Sequence, residues 1–171
     1  MRCRISGALR IETGRRVTQG GIDMSKRKRR ALSTQVAALP VRRASDGRLE
    51  VLLVTSRETR RWIIPKGWPI KGVPNHIAAA HEAREEAGLL GCVRKGRIGR
   101  YQAWKRLHDS FELVEVDVYR FDVDSQFDTW PEKGQRSFRW VDLKAAADLV
   151  DEPGLAKLLH ELAGNEDVFA D

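Results

Sequence analysis

The sequence predicts an α/β fold, an α/β/α sandwich built around a mixed β-sheet. Three observations carry that expectation. Val51-Leu52-Leu53-Val54 is an apolar run too short for a helix and uncharged on both faces, as a buried strand requires. The segment after Asn75 is rich in alanine on its inner side (Ala78, Ala79, Ala80, Ala83 and Ala87), which allows close packing on a sheet. Further strand patterns recur as far as Val141 and then give way to helical segments, the layering that a sheet flanked by helices needs.

Taken in order, Gln35–Arg42 reads as the first strand, with Val36, Ala38 and, near its end, Pro40. Ser45-Asp46-Gly47 is a turn signal, and Glu50–Ser56 is the second strand. Trp62-Ile63-Ile64 is a brief strand halted by Pro65. Asn75 is a good N-cap for a helix that Gly88 can end in the left-handed conformation. Strands follow around Val93–Trp104 and Phe111–Val123, the latter interleaving Glu112, Glu115 and Asp117 with Leu113, Val114, Val116 and Val118. Ser137–Val141 is a last short strand, Asp142 caps a helix running to about Val150, and Pro153 opens a final helix to Ala163.

A chain of 171 residues has the length of one domain with an adequate core. It contains no apolar run of about 18 residues, so no membrane-spanning helix is expected. Cys3 and Cys92 form no C-x-x-C arrangement, which argues against a disulfide framework or a zinc site and for a reducing cytoplasm. The net charge of +7 is unevenly placed: residues 1–30 carry 10 basic and 2 acidic residues, leaving 21 basic and 22 acidic over the rest. The run Lys26-Arg27-Lys28-Arg29-Arg30 could touch nucleic acid, but such runs are more often solvated tails, and no nucleic-acid or membrane partner is expected. Residues 1–32 are therefore set apart as a basic, flexible leader, with Met24 as an alternative start, and 164–171 as a C-terminal tail.

The chemistry concentrates in the segment from Gly67 to Leu89. Glu82, Glu85 and Glu86 stand at i, i+3 and i+4, so a helix projects all three carboxylates from one face. Like charges stacked in this way repel, and a divalent cation relieves the repulsion; oxygen ligands suit Mg²⁺ or Mn²⁺. A solvated acidic face is the plainer reading of the same glutamates.

The spacing decides between the two. From Gly67 to Leu89 the segment resembles the Nudix box, G-x5-E-x7-R-E-U-x-E-E-x-G-U with U aliphatic. Gly67 is the first glycine, Glu82 the glutamate of R-E-U, and Glu85-Glu86-Ala87-Gly88-Leu89 the closing run. Two positions depart: Val73 stands where the first glutamate is expected and His81 where the arginine is expected. The resemblance covers roughly residues 33–163. It implies the Nudix sandwich fold, hydrolysis of phosphoanhydrides, and a Mg²⁺ or Mn²⁺ shell of Glu82, Glu85, Glu86 and the Gly67 carbonyl. In the family the box arginine typically pairs with a catalytic glutamate. His81 could replace that contact through one ring N–H, without a bidentate grip and with a charge that changes near neutral pH. The general base is left open between a box glutamate and Glu132, with Glu112 and Glu115 as further candidates that read equally as the polar side of a strand.

An anionic substrate needs cations beside the metal. Arg57, Arg60, Arg61 and Lys66 precede Gly67, and Trp68 is a candidate rim contact together with Trp104. Arg42, Arg43, Lys105, Arg106 and His108 could extend the patch, whereas Trp62 and Trp140 flank strands and read as core. The stretch Arg61-WIIPKGWPIKG and the later Trp130-Pro-Glu…Arg139-Trp140-Val141 resemble the diphosphoinositol polyphosphate phosphohydrolases, whose members also cleave diadenosine polyphosphates. That resemblance implies a small, densely phosphorylated substrate. Two other readings remain: a nucleotide or RNA 5′-end pyrophosphohydrolase, and a Nudix domain that binds a nucleotide without turnover.

Overall fold

The computed structural model describes residues 31–170; the basic leader up to Arg30 and the Met24 start lie outside the described residues. Seven strands and three α-helices follow in chain order: β1 (Ser33–Arg43), β2 (Leu49–Thr55), β3 (Trp62–Ile63), β4 (Lys66–Gly67), α1 (Asn75–Ala87), β5 (Leu89–Arg106), β6 (Phe111–Gln126), β7 (Phe138–Asp142), α2 (Leu143–Leu149) and α3 (Pro153–Ala163). The strands form one sheet in the order β3-β2-β1-β6-β5, with β4 added to β1 and β7 to β2. Only β1 and β6 run parallel, which makes the sheet mixed, as expected. No described helix is long and apolar enough to cross a membrane.

Strand pleat sorts the core into two layers. From β1, Ala37, Leu39 and Val41 join Val51 and Leu53 of β2 and Val114, Val116 and Val118 of β6 against α2 and α3. Their neighbours Val36, Ala38, Leu52, Val54, Tyr119 and Phe121 face the opposite way, against the alanine side of α1. Central strands buried on both faces explain why β1 and β2 read as continuous apolar runs rather than alternating ones.

Several boundaries differ from the sequence expectation, each for a local reason. Pro40 lies near the end of β1, as expected, and its missing N–H falls between the β4 contacts at Val36 and Ala37 and the β2 ladder that starts at Val41. Asn75 is the first residue of α1, not its cap: Pro74 holds the cap position and no side-chain cap bond forms. Gly88 closes the helix at φ 65°, as expected. Asp142 caps α2 by accepting from the Lys144 N–H. The segment set apart as a C-terminal tail contains a 3-10 turn, Glu166–Phe169. Phe169 is buried in the core, and Arg120 donates to the carbonyls of Val168 and Ala170.

Candidate active site

The acidic face of α1 lies over the short strand β4. Glu86 is buried, Glu82 half-buried and Glu85 exposed. Gly67 is the point of closest approach: a Cβ there would lie 2.0 Å from Glu82 Oε1, so only glycine lets the backbone sit against that carboxylate. After β6 the chain folds back over the C-terminal end of α1. The Trp130 ring packs where a Gly88 Cβ would otherwise stand, and the Glu132 N–H donates to the Glu85 carbonyl at 3.2 Å. Glu132, a candidate from the sequence, is thereby delivered to the box.

Arg136, a residue the sequence reading passed over, ties the acidic groups together. Its Nη2 lies 2.5 Å from Glu86 Oε1, its Nε 2.6 Å from Glu132 Oε2, and its Nη1 donates to the Thr55 carbonyl at 2.9 Å. Arg57 approaches Glu132 from the outer side at 3.6 Å. Burial raises Glu82 above the ordinary carboxylate range, and Glu85 and Glu132 push it further the same way. Burial pushes Glu86 up to about 8, against the opposing pull of Arg136. Glu86 Oε2 is sealed from solvent and has no hydrogen-bond partner.

These features fit a divalent cation. A buried carboxylate oxygen without a donor, two carboxylates whose charge is disfavoured, and hard oxygen donors on one face are what such an ion would satisfy. Among the described residues, no three acidic, imidazole or thiol side chains converge as a ligand set, and Glu86 and Glu132 both pair with Arg136.

Beside the box opens a cleft of about 590 Å³. Glu86, Arg136, Arg57, Arg61 and Lys105 all line it, together with Trp104 and Arg106 at the end of β5. Lys66 lines it too, but as a largely buried group: its ammonium pairs with Glu152, whose other oxygen accepts from the Tyr101 hydroxyl at 2.9 Å. Burial lowers the Lys66 pKa, with Glu152 acting in the opposite direction.

The other sequence candidates fall outside the cleft. Arg60 donates to the Gln135 carbonyl at 2.7 Å and adopts φ 56°, and Trp68 is exposed elsewhere. Arg42 pairs with Glu50 over the Trp140 ring, Arg43 donates to Gly47, and His108 contacts Asp109. Glu112 accepts from Ser33 and Glu115 pairs with Arg100. His81 is exposed and makes no hydrogen bond or ion pair with a described residue. Glu152 and Arg136 were missed because nothing in the spacing links them to carboxylates or lysines 50 or more positions away.

The comparisons with known proteins agree with this architecture. A family model described as the NUDIX domain matches residues 33–162. Nudix hydrolase 21, chloroplastic, of Arabidopsis thaliana is 27% identical over 147 residues, covering 84% of this chain and 72% of the relative. Nudix hydrolase 13, mitochondrial, of the same plant is 27% identical over 126 residues, covering 68% of this chain and 60% of the relative. Among solved structures, a C. elegans Ap4A hydrolase binary complex superposes with a TM-score of 0.59 at 18% identity, covering 78% of this chain and 96% of that one. At that identity the likeness is one of fold.

Proposed function

This chain belongs to the Nudix family, hydrolases that act on pyrophosphate bonds, and from that premise we propose that it is a divalent-metal-dependent pyrophosphohydrolase of small, densely phosphorylated molecules. The two substrate classes we put forward are diphosphoinositol polyphosphates and diadenosine polyphosphates. The observation that carries the reading is the meeting of two opposite features: Glu86, with its unpartnered oxygen, lines the same cleft as Arg57, Arg61 and Lys105. A carboxylate cluster alone would repel a polyphosphate, and a basic cleft alone would only bind one.

In this reading Glu82, Glu85, Glu86 and the Gly67 carbonyl hold Mg²⁺ or Mn²⁺, and Glu132 is the additional base. The ion, when bound, neutralises phosphate charge. Arg57 and Arg61 take the non-reacting phosphates, where a guanidinium can make paired hydrogen bonds to two oxygens. Lys66, held by Glu152 and Tyr101, supports the wall of the cleft. Glu132 stays oriented through Arg136 and can receive a proton from an attacking water.

The test is Mg²⁺-dependent hydrolysis across diphosphoinositol polyphosphates, diadenosine polyphosphates, nucleoside triphosphates, ADP-ribose and 5′-triphosphorylated RNA, with Glu85→Gln as control. Turnover of the first two classes, lost in the control, is the expected result. Preference for triphosphates or RNA would replace the substrate class. Turnover unaffected by Glu85→Gln would remove the proposed site.

A further inference from the structure

One wall of the cleft carries an anion seat that the chain fills with a carboxylate of its own. Lys66 stands at the entry to the box, and its ammonium meets Glu152 from the cap position of α3. The Tyr101 hydroxyl donates to the second oxygen of Glu152 at 2.9 Å and lies 3.5 Å from the Lys66 ammonium. Two donors thus converge on the two oxygens of one anion. Tyr101 is buried, and Lys66 and Glu152 both line the cleft. The Glu152 side chain keeps 18% exposure against 11% for Lys66, so the carboxylate is the outer member of the pair.

Glu152 has a second set of donors within reach in its own helix. It stands directly before Pro153, at the cap of α3, yet its side chain makes no capping bond. The N–H groups of Gly154 and Leu155, at the second and third helical positions, have no hydrogen-bond partner among the described residues. Leu155 is fully buried. These are the groups that a cap side chain ordinarily satisfies, and the positive end of the helix dipole favours a carboxylate there. One carboxylate therefore has two mutually exclusive positions, on the cleft wall or on the first turn of α3. Moving to the helix alone would leave the Lys66 ammonium buried and uncompensated, which is costly. The move requires another anion to enter.

We propose that Lys66 and Tyr101 form a phosphate seat whose resident competitor is Glu152: a phosphate group takes the seat while the Glu152 carboxylate moves onto the Gly154 and Leu155 N–H groups. Arg61 and Lys105, which line the same cleft and have no acidic partner among the described residues, attract the incoming polyphosphate. A phosphate group brings more charge and more acceptor oxygens to the buried ammonium than a carboxylate does. An uncharged group cannot neutralise Lys66, so the exchange favours ligands dense in phosphate. Apparent affinity is lowered in proportion to the fraction of molecules in which Glu152 holds the seat. This seat presupposes the polyphosphate reading of the cleft, but not hydrolysis.

The experiment measures binding of inorganic tripolyphosphate by titration calorimetry in chelator, where no metal-dependent turnover occurs. It compares wild type with Glu152→Ser, which places a strong helix cap at the same position and empties the seat. The expected result is binding at least about tenfold tighter in Glu152→Ser, as removal of an internal competitor gives. Adding Lys66→Met to Glu152→Ser should abolish that gain. A second measurement needs no variant to fold. In wild type, the backbone amide proton resonances of Gly154 and Leu155 should move downfield as tripolyphosphate saturates the protein, because both gain a hydrogen bond. Equal or weaker binding in Glu152→Ser overturns the proposal, as do stationary Gly154 and Leu155 resonances at saturation or tripolyphosphate that binds neither protein. Absence of hydrolysis across the substrate panel would instead sink the reaction proposed above and leave the binding comparison to decide for or against this seat.

Discussion

Arg136 and Glu86 form a buried ion pair across the candidate active site, 2.5 Å apart with each side chain 6% exposed. One partner comes from the box helix, the other from the loop after β6, so the pair closes the loop onto the helix. Arg136→Ala would leave Glu86 buried without its cation. Breaking a buried pair in this way costs about 3 kcal/mol or more, a fall in Tm of at least roughly 6 °C for a chain of this size. Calorimetry at pH 8 should show that loss, and adding Glu86→Gln to Arg136→Ala should recover part of it. A loss of under about 1 kcal/mol would mean that the loop is held by Trp130 and its backbone bonds instead.

Glu86 also sets a pH dependence on the metal-free protein. Burial raises its folded pKa to about 8, above the ordinary value of 4.5. Between those values the folded state binds a proton that the unfolded state does not, so stability falls as pH rises through that window. The neutral amide of Glu86→Gln removes the penalty. In chelator, the Tm of the variant should change between pH 5 and pH 8.5 by at least about 3 °C less than that of wild type, whatever the loss of the Arg136 pair costs at both pH values. Its hydrolysis should nevertheless fall at least about a hundredfold, as removal of a metal-centred charge does. An equal change with pH in both proteins would show that Glu86 does not set the dependence.

The sheet was readable because its central strands are apolar on both faces, and the helix because its alanines recur on one side. The three box glutamates were readable because a helix turns a three-and-four spacing into a single face. What was not readable depends on tertiary placement. Lys66 looks from sequence like a phosphate contact, and only the fold brings Glu152 and Tyr101 against it. Lys66-Gly67 carries no strand pattern and becomes β4 because β1 offers it Val36 and Ala37.

The Lys66–Glu152 contact joins β4 to the residue that caps α3. Removing either charge leaves the other largely buried, so Glu152→Leu and Lys66→Met should each destabilise the fold by about 2–3 kcal/mol. The double variant should cost clearly less than the two added together, and urea denaturation of the four proteins measures that difference. Additive losses would mean that the two side chains act independently.

Gly67 separates metal geometry from stability. Its backbone is not in the left-handed region, so alanine meets no torsional penalty there. The added Cβ would instead fall 2.0 Å from Glu82 Oε1, the far end of a flexible side chain that can swing away. Gly67→Ala should therefore keep its Tm within about 3 °C of wild type while Glu82 leaves its place beside the backbone. Manganese affinity, read by electron paramagnetic resonance of the free ion, should fall at least about tenfold, as it does when the support of a metal ligand is lost. Unchanged affinity would show that Glu82 does not hold the metal through this approach. A large drop in Tm would show that the tight contact is part of the packing of β4 under α1.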